Sequence, residues 1–311
     1  MSEPCDLCGG ADFALYAPRM YALDGRAHDL VRCRGCGLVQ VRPLPDAAAV
    51  AALYGDDYFD EDYDSLLSAD GYFESAARLA PRYAALLDAI EALEPRGALF
   101  EVGAAGGFFL RLARERGWRV RGVEITAAGA RHAREVLGLD VERRAFPDPA
   151  LAAEPSDVVY MGHVLEHLRS PAAGIAAART LLRRGGLLVI EVPSYVDSPY
   201  HRALRRAVPW LRAAGAVPPD LLRALKFPGP GETMRPYHLY EFRRRTLVSM
   251  LARQGFRTLR TESRVPKPHG VASARDPLRR LVSLGFDLLD LGARRLGLPG
   301  GNLAVFARHA G

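Results

Sequence analysis

One stretch limits the fold more than any other: Glu101-Val-Gly103-Ala-Ala105-Gly-Gly107. The apolar run Ala98–Val102 before it has strand character, and Phe108–Arg116 after it keeps helical spacing. A strand that feeds a helix through a glycine turn belongs to an open α/β sheet, which receives ligands at the carboxyl edge of its strands. The alternation continues along the chain. Trp118–Val123, Asp140–Arg143, Asp157–Met161 and Gly186–Val192 read as strands, with helices over Ala127–Leu137 and Pro171–Arg183. A helix from Gly71 to Leu93 precedes the set. Leu247–Gln254 (helix), Phe256–Arg260 (strand) and Asn302–Arg308 (strand) follow it. This order predicts a parallel sheet with helices on both faces.

The charges at the turn select a ligand. A dinucleotide fingerprint reads G-x-G-x-x-G. Here Glu101 precedes the first glycine and would repel a pyrophosphate. It suits a ligand with an ammonium group and no phosphate. Glu124, 23 residues further on at the end of the next strand, stands where both hydroxyls of a ribose can donate to it. S-adenosylmethionine carries a ribose, an amino-acid end and a sulfonium cation, so charge favours it over a nicotinamide dinucleotide.

All four cysteines fall early, as Cys5-Asp-Leu-Cys8 and Cys33-Arg-Gly-Cys36. Two such C-x-x-C turns predict a closed, structural zinc site with four protein ligands. Gly9, Gly10 and Gly37 follow the pairs and let backbone amides turn toward the sulfurs. The residues between, Phe13 to Val31, read as a β-ribbon, and a segment of about 40 residues needs such a staple. The alternatives are two disulfides or four free thiols. A cytosolic chain disfavours the first, and the clustering disfavours the second.

From about residue 70 to 308 the chain resembles class I S-adenosylmethionine-dependent methyltransferases. The resemblance rests on Glu101–Gly107, Val123-Glu124-Ile125, Asp157-Val-Val-Tyr-Met-Gly-His-Val-Leu-Glu-His167 and Arg184-Gly-Gly-Leu-Leu-Val-Ile-Glu-Val-Pro193. With the cysteine unit, the whole chain is similar to zinc-ribbon methyltransferases acting on sugars and natural products. The resemblance implies a seven-stranded, doubly wound, Rossmann-like sheet whose last strand, Asn302–Arg308, is antiparallel. It also implies a small N-terminal zinc-binding ribbon and a helical lid. The expected organisation is a ribbon over 1–45, a linker and helix over 46–96, and a methyltransferase domain over 97–311 with helical insertions at 199–228 and 277–297. Implied cofactor contacts are Glu101, Gly103, Ala105, Gly107, Glu124, Ile125 and His163. Ala105 replaces the family's middle glycine. Where the family has an Asp for the adenine amine, this chain has Arg144-Ala-Phe146, and Phe146 is assigned to the adenine face.

His163-Val-Leu-Glu166-His167 also spells H-x-x-E-H, the inverted zinc-peptidase signature. That chemistry needs both histidines on one helix, whereas His163 directly follows a strand. In the methyltransferase reading His163 lies beside the cofactor, and Glu166 and His167 begin the next helix as candidates to face substrate. An alcohol or an acidic C–H needs a base. Arg235-Pro-Tyr-His238-Leu-Tyr-Glu-Phe242 supplies His238. The sugar carbon-methylating relatives carry a Glu-His-x-x-Tyr-Phe-like motif here, with that His as base. In this chain Tyr237 stands for the Glu and Glu241 lies between Tyr240 and Phe242, which leaves oxygen and carbon methylation both open.

Composition bounds the rest. With 49% hydrophobic and 25% charged residues, a largely disordered chain is excluded. No apolar run reaches roughly 18 residues, so no membrane-spanning helix is expected. Met1-Ser-Glu-Pro-Cys5-Asp-Leu-Cys8 lacks a basic-then-apolar leader, and a cytoplasmic setting is expected. The net charge of +6 is carried almost wholly by arginine, Lys226 and Lys267 being the two lysines. The basic helices at 199–228 and 277–297 suit a packed, solvated lid. With Arg202, Arg205 and Arg206, they also suit the diphosphate of a nucleotide-linked sugar or an anionic membrane surface. A zinc-ribbon RNA methyltransferase is an alternative, opposed by Asp56, Asp57, Asp60, Glu61, Asp62 and Asp64, which repel phosphate. A non-catalytic scaffold is another, opposed by the intact Gly103, Gly107 and Glu124. The expected partner is a small-molecule acceptor and not a nucleic acid.

Overall fold

The computed structural model describes residues 3–23, 25–55, 58, 59, 72, 73, 76–151, 154–215, 222, 238–265 and 277–310. The strands are β1 (Phe13–Leu23), β2 (Arg26–Cys33), β3 (Val39–Arg42), β4 (Ala98–Val102), β5 (Arg119–Glu124), β6 (Val141–Arg143), β7 (Ser156–Gly162), β8 (Leu182–Pro193), β9 (Tyr240–Glu241), β10 (Phe256–Arg264) and β11 (Asn302–His309). The helices are α1 (Ala47–Ala52), α2 (Ala76–Glu91), α3 (Phe108–Glu115), α4 (Ala127–Arg131), α5 (Pro171–Thr180), α6 (Pro199–Ala213), α7 (Arg244–Arg253) and α8 (Pro277–Leu296). They fall into two compact units. One comprises residues 1–50, 192–247 and 262–303; the other comprises 51–191, 248–261 and 304–311.

The second unit is built on a mixed seven-stranded sheet in the order β10-β11-β8-β7-β4-β5-β6. The pairs β4–β5, β4–β7, β5–β6 and β7–β8 are parallel. β8 shows why these strands read so clearly: from Gly186 to Pro193 every residue is buried, because helices cover both faces of a parallel sheet. The order reverses at β4, so the Glu101–Gly107 turn leaves the sheet at its switch point, where open α/β sheets bind ligands.

The core beside this sheet joins Leu86, Leu87 and Ile90 of α2 to Phe109 and Leu110 of α3. Leu99, Val158, Tyr160, Leu187, Val189 and Phe306 of the strands complete it. Each such side chain contributes about 1.5–3 kcal/mol by leaving water. Glu94 ties the sheet's far side together. Its buried carboxylate holds Arg183 on one oxygen and Arg308 on the other at 2.6 Å, while Arg308 also donates to the carbonyls of Gly185 and Leu93. Removing the acid strips Arg308 of its carboxylate partner beside the Gly185 and Leu93 carbonyls, whereas Arg183 keeps Asp157. We expect Glu94→Ala to cost about 3 kcal/mol, read as a lowered midpoint in urea unfolding.

The first unit holds an antiparallel sheet in the order β1-β2-β3-β9. Phe13 lies opposite Cys33, and Val31 opposite Gln40, so the expected ribbon is present. Its small core is Tyr21, Leu30, Val39, Val41 and Val196. The fourth strand is absent from the sequence reading, which has no element between Gly186–Val192 and the helix at Leu247–Gln254 apart from the basic helix at 199–228. Tyr240 and Glu241 pair with Gln40 and Val39, and α7 begins at Arg244. β3 presents an open edge, and β9 takes up its hydrogen bonds.

Two further local departures occur. The helix after Thr126 is α-helical only to Arg131 and then widens into a π turn over His132–Val136. The helix expected from Glu166 is a single 3-10 turn, Leu165–His167, before α5 starts at Pro171 behind a Ser170 cap. The part of the expected 199–228 helix beyond residue 215 lies outside the described residues, Leu222 excepted, as do Tyr237 and the acidic residues 56, 57, 60–62 and 64.

Candidate functional site

The turn after β4 is built from left-handed residues: Gly103 (φ 74°), Ala105 (φ 47°) and Gly107 (φ 84°). A side chain at Gly103 would stand 2.5 Å from Val164, and one at Gly107 would stand 2.7 Å from Leu139. Ala105 bears the same conformation with a methyl group, at a steric cost of roughly 1 kcal/mol. Its N–H compensates by donating to Glu124 Oε2 at 2.8 Å.

Glu124 is buried at the end of β5 and already serves three donors. Oε1 accepts from the backbone N–H and the hydroxyl of Thr126, at 2.8 and 2.7 Å, while Oε2 accepts from Ala105. An ionised carboxylate has about four acceptor positions, so the remaining one is on Oε2. Thr126 also caps α4 through Gly129, and the sequence reading missed its part in the site. The Glu-Ile-Thr-x-x-Gly spacing was its signal.

Glu101 is buried on β4. Burial, together with the nearby Glu124 charge, pushes its carboxyl well above the usual carboxylate range. Its Oε2 has no hydrogen-bond partner among the described residues. A buried carboxylate oxygen without a donor, beside a second carboxylate, attracts a cation. Ile125 is half-buried beside Glu124, and Phe146 is half-buried after β6. Aromatic rings close the outer side of the turn. Tyr72 and Phe73 pack on Gly106, Phe59 stacks on Tyr72 at 4.6 Å, and His132 Nδ1 lies 2.7 Å from the Gly106 carbonyl.

His163 follows β7 at the same sheet edge, with φ 56°. Arg82 donates to its Nε2 at 3.0 Å. Arginine only donates, so Nε2 carries the lone pair and the proton sits on Nδ1, which faces Glu166 Oε1 at 3.4 Å. His163 thus stands between Arg82 and Glu166. Arg82 also binds Glu191, whose Oε2 accepts from Tyr160 at 2.6 Å. Burial alone would lift the Glu191 carboxyl. The Arg82 charge, His163 and the Tyr160 hydrogen bond hold it below its ordinary value. Glu166 is fully buried, and His167 Nε2 lies 3.6 Å from the same Oε1.

In the first unit, the four cysteine sulfurs lie within 4.8 Å of one another. Cys5 to Cys36 and Cys8 to Cys33 are each 3.5 Å apart, far beyond a disulfide of about 2.05 Å, and all four thiols are free. The two knuckles match: Gly9 N–H donates to Cys5 O, and Gly37 N–H donates to Cys33 O. A tetrahedral ion with bonds of about 2.3 Å needs sulfurs about 3.8 Å apart, a value between the 3.5 Å of these two pairs and the 4.8 Å limit of the whole cluster. Burial opposes ionisation at Cys33, but the amides of Cys36 and Gly35 and the Cys8 thiol bring it to about 7. His238 lies just before β9, mostly buried, with Nδ1 3.9 Å from Glu241 Oε1. Arg205, one of the candidate phosphate ligands, stacks on Tyr16 at 4.8 Å and donates to its carbonyl.

Residues 73–261 match the family model described as a methyltransferase domain. The chain belongs to that family. Two curated relatives agree with the membership. A ubiquinone biosynthesis O-methyltransferase of Stutzerimonas stutzeri is 34% identical over 94 residues, 28% of this chain and 40% of the relative. A trans-aconitate 2-methyltransferase of an Azoarcus species is 32% identical over 133 residues, 40% of this chain and 51% of the relative. The chain thus spans about half or less of the curated relatives it matches. Among solved structures, an S-adenosylmethionine dependent methyltransferase from Mesorhizobium loti is similar at 18% identity and a TM-score of 0.48, over 76% of this chain and all of that one. The matched stretch of the methyltransferase domain contains Glu101, Glu124, His163 and His238, and excludes the four cysteines. No described helix is long and apolar enough to cross a membrane.

Proposed function

We propose that the chain transfers a methyl group from S-adenosylmethionine to a small hydroxylated acceptor, such as a sugar, a nucleotide-linked sugar or a natural product. The observation that carries the reading is the buried Glu101–Glu124 pair at a left-handed glycine turn, with Glu101 Oε2 lacking a donor. An ammonium group fits Glu101, and a ribose hydroxyl fits the open position on Glu124 Oε2. Ile125 and Phe146 flank the adenosine, and Gly103, Ala105 and Gly107 give the close backbone approach. When bound, the cofactor supplies an electrophilic methyl group on a sulfonium. His238 acts as the base that takes the acceptor's proton, with the buried Glu241 beside it to stabilise the imidazolium. Within the H-x-x-E-H segment, His163 orients Arg82 and Glu166, and His167 faces the acceptor. Cys5, Cys8, Cys33 and Cys36 hold a structural zinc.

Titration calorimetry with S-adenosylhomocysteine tests the reading. Micromolar binding is expected, and its absence would favour a scaffold that keeps only the fold. Binding should also release a proton. The Glu101 carboxyl stays protonated above its usual range in the free protein, and an ammonium partner favours the ionised form. The heat should therefore vary with the buffer's ionisation enthalpy between the ordinary and the raised value. A buffer-independent heat would remove Glu101 from the ammonium site. For the base, His238→Ala should slow turnover about 10²–10⁴-fold and leave the binding constant alone.

A further inference from the structure

α8 carries leucines where a water-soluble helix carries charges. Leu284, Leu288 and Leu291 follow one another at helical spacing and are all exposed, Leu288 at 61%; Leu289, Leu296 and Leu298 are exposed as well. The opposite side is fixed to the first unit. Ala293 is buried, and Asp290 accepts from the Val265 backbone at 2.8 Å and pairs with Arg294. The stripe therefore points away from the helix's own packing. Exposed Arg280 and Arg295 lie on the same face at its two ends, one turn beyond Leu284 and Leu291. Arg294 flanks it, and exposed Asp287 sits at its margin, so the face keeps a net positive charge.

We propose that α8 is a docking helix for an anionic lipid surface. The helix is about 30 Å long, and on such a surface it lies flat. The leucines enter the acyl boundary, and the arginine stems snorkel so that their guanidinium groups meet lipid phosphates. The charge pattern opposes a second copy of the chain. Self-pairing about a two-fold axis sets Arg280 against Arg295 or against its own equivalent, and brings the two Asp287 side chains together. Lipid phosphate instead satisfies both arginines at once, each adding about 1 kcal/mol of attraction, or about fivefold in binding per arginine.

The test uses the full chain and sedimentation with two vesicle types, phosphatidylcholine alone and phosphatidylcholine mixed with phosphatidylglycerol. Binding to the mixed vesicles is expected to exceed binding to the neutral ones by more than about tenfold. It should fall steeply with salt. Arg280→Glu with Arg295→Glu should abolish the preference, and Leu284→Ser with Leu288→Ser should abolish binding to both vesicle types. Because these side chains are exposed, the variants should keep the parent Tm. No preference for anionic vesicles overturns the proposal. So does a concentration-dependent dimer that Leu288→Ser breaks, which assigns the stripe to a second copy. A large fall in Tm for the same variant also overturns it, because it means that the chain's own residues cover the stripe.

Discussion

Replacing Cys33 by Ser should abolish metal retention and melt the four-stranded sheet. Among the described residues the sheet's own core is five buried side chains with Tyr16, Ala17 and Met20 packed against them, too few to offset the conformational entropy of roughly 40 residues. A four-thiolate zinc site supplies about 10–16 kcal/mol in small domains, so its loss is felt through that whole layer. We expect elemental analysis to fall from one zinc per chain to none. A first unfolding transition should appear at least about 10 °C below the parent's, in line with a loss of several kcal/mol. Binding of S-adenosylhomocysteine should stay within about threefold of the parent, because Glu101, Glu124 and the turn sit on the other sheet. Turnover should fall as sharply as in His238→Ala, because β9 anchors that histidine's segment to β3. A variant that melts like the parent, with no metal in either, would remove zinc from the account.

Glu124→Ala should reduce cofactor binding more than any other single change. In the proposed complex the carboxylate takes the ribose, and it holds the turn through Ala105 N–H on one side and the Thr126 backbone on the other. Hydrogen bonds to a charged acceptor contribute about 1.5–3 kcal/mol each. Losing the ribose bond and the order of the turn together should weaken S-adenosylhomocysteine at least about 100-fold by calorimetry. Glu124→Gln separates the two roles. Its amide oxygen can still accept from Thr126 or Ala105, but it has fewer acceptor positions, so an intermediate loss is expected. If Glu124→Ala bound the cofactor within about threefold of the parent, the assigned ribose contact would be wrong.

The strands of the large sheet were legible because burial on both faces leaves a continuous apolar run, as in Leu187–Val192, and such runs need no partner to be recognised. The cysteine cluster was legible for a similar reason: the spacing within each pair is local. What could not be read depends on contacts between distant residues. β9 is two residues long, too short to show a period, and its partner lies about 200 positions earlier. Local rules therefore gave no strand at Tyr240 and Glu241. The lock on His163 was hidden in the same way, because Arg82 comes 81 positions before His163 and 109 before Glu191, and none is unusual in its own neighbourhood. At Glu124 the acid itself was found. The sharing of its oxygens with Thr126 was not, because a threonine after a strand reads first as a helix cap.

The late arrival of β9 has a consequence for synthesis. β3 leaves the ribosome early, and the strand that completes its edge follows about 200 residues later. At about 5–20 residues per second, the nascent ribbon presents an unpaired strand for roughly 10–40 s. Metal capture can fold the two cysteine knuckles during that interval, but it cannot close the edge. Cells expressing this chain rapidly should therefore accumulate assemblies joined through β3, and slower translation ahead of Tyr240 would not relieve them.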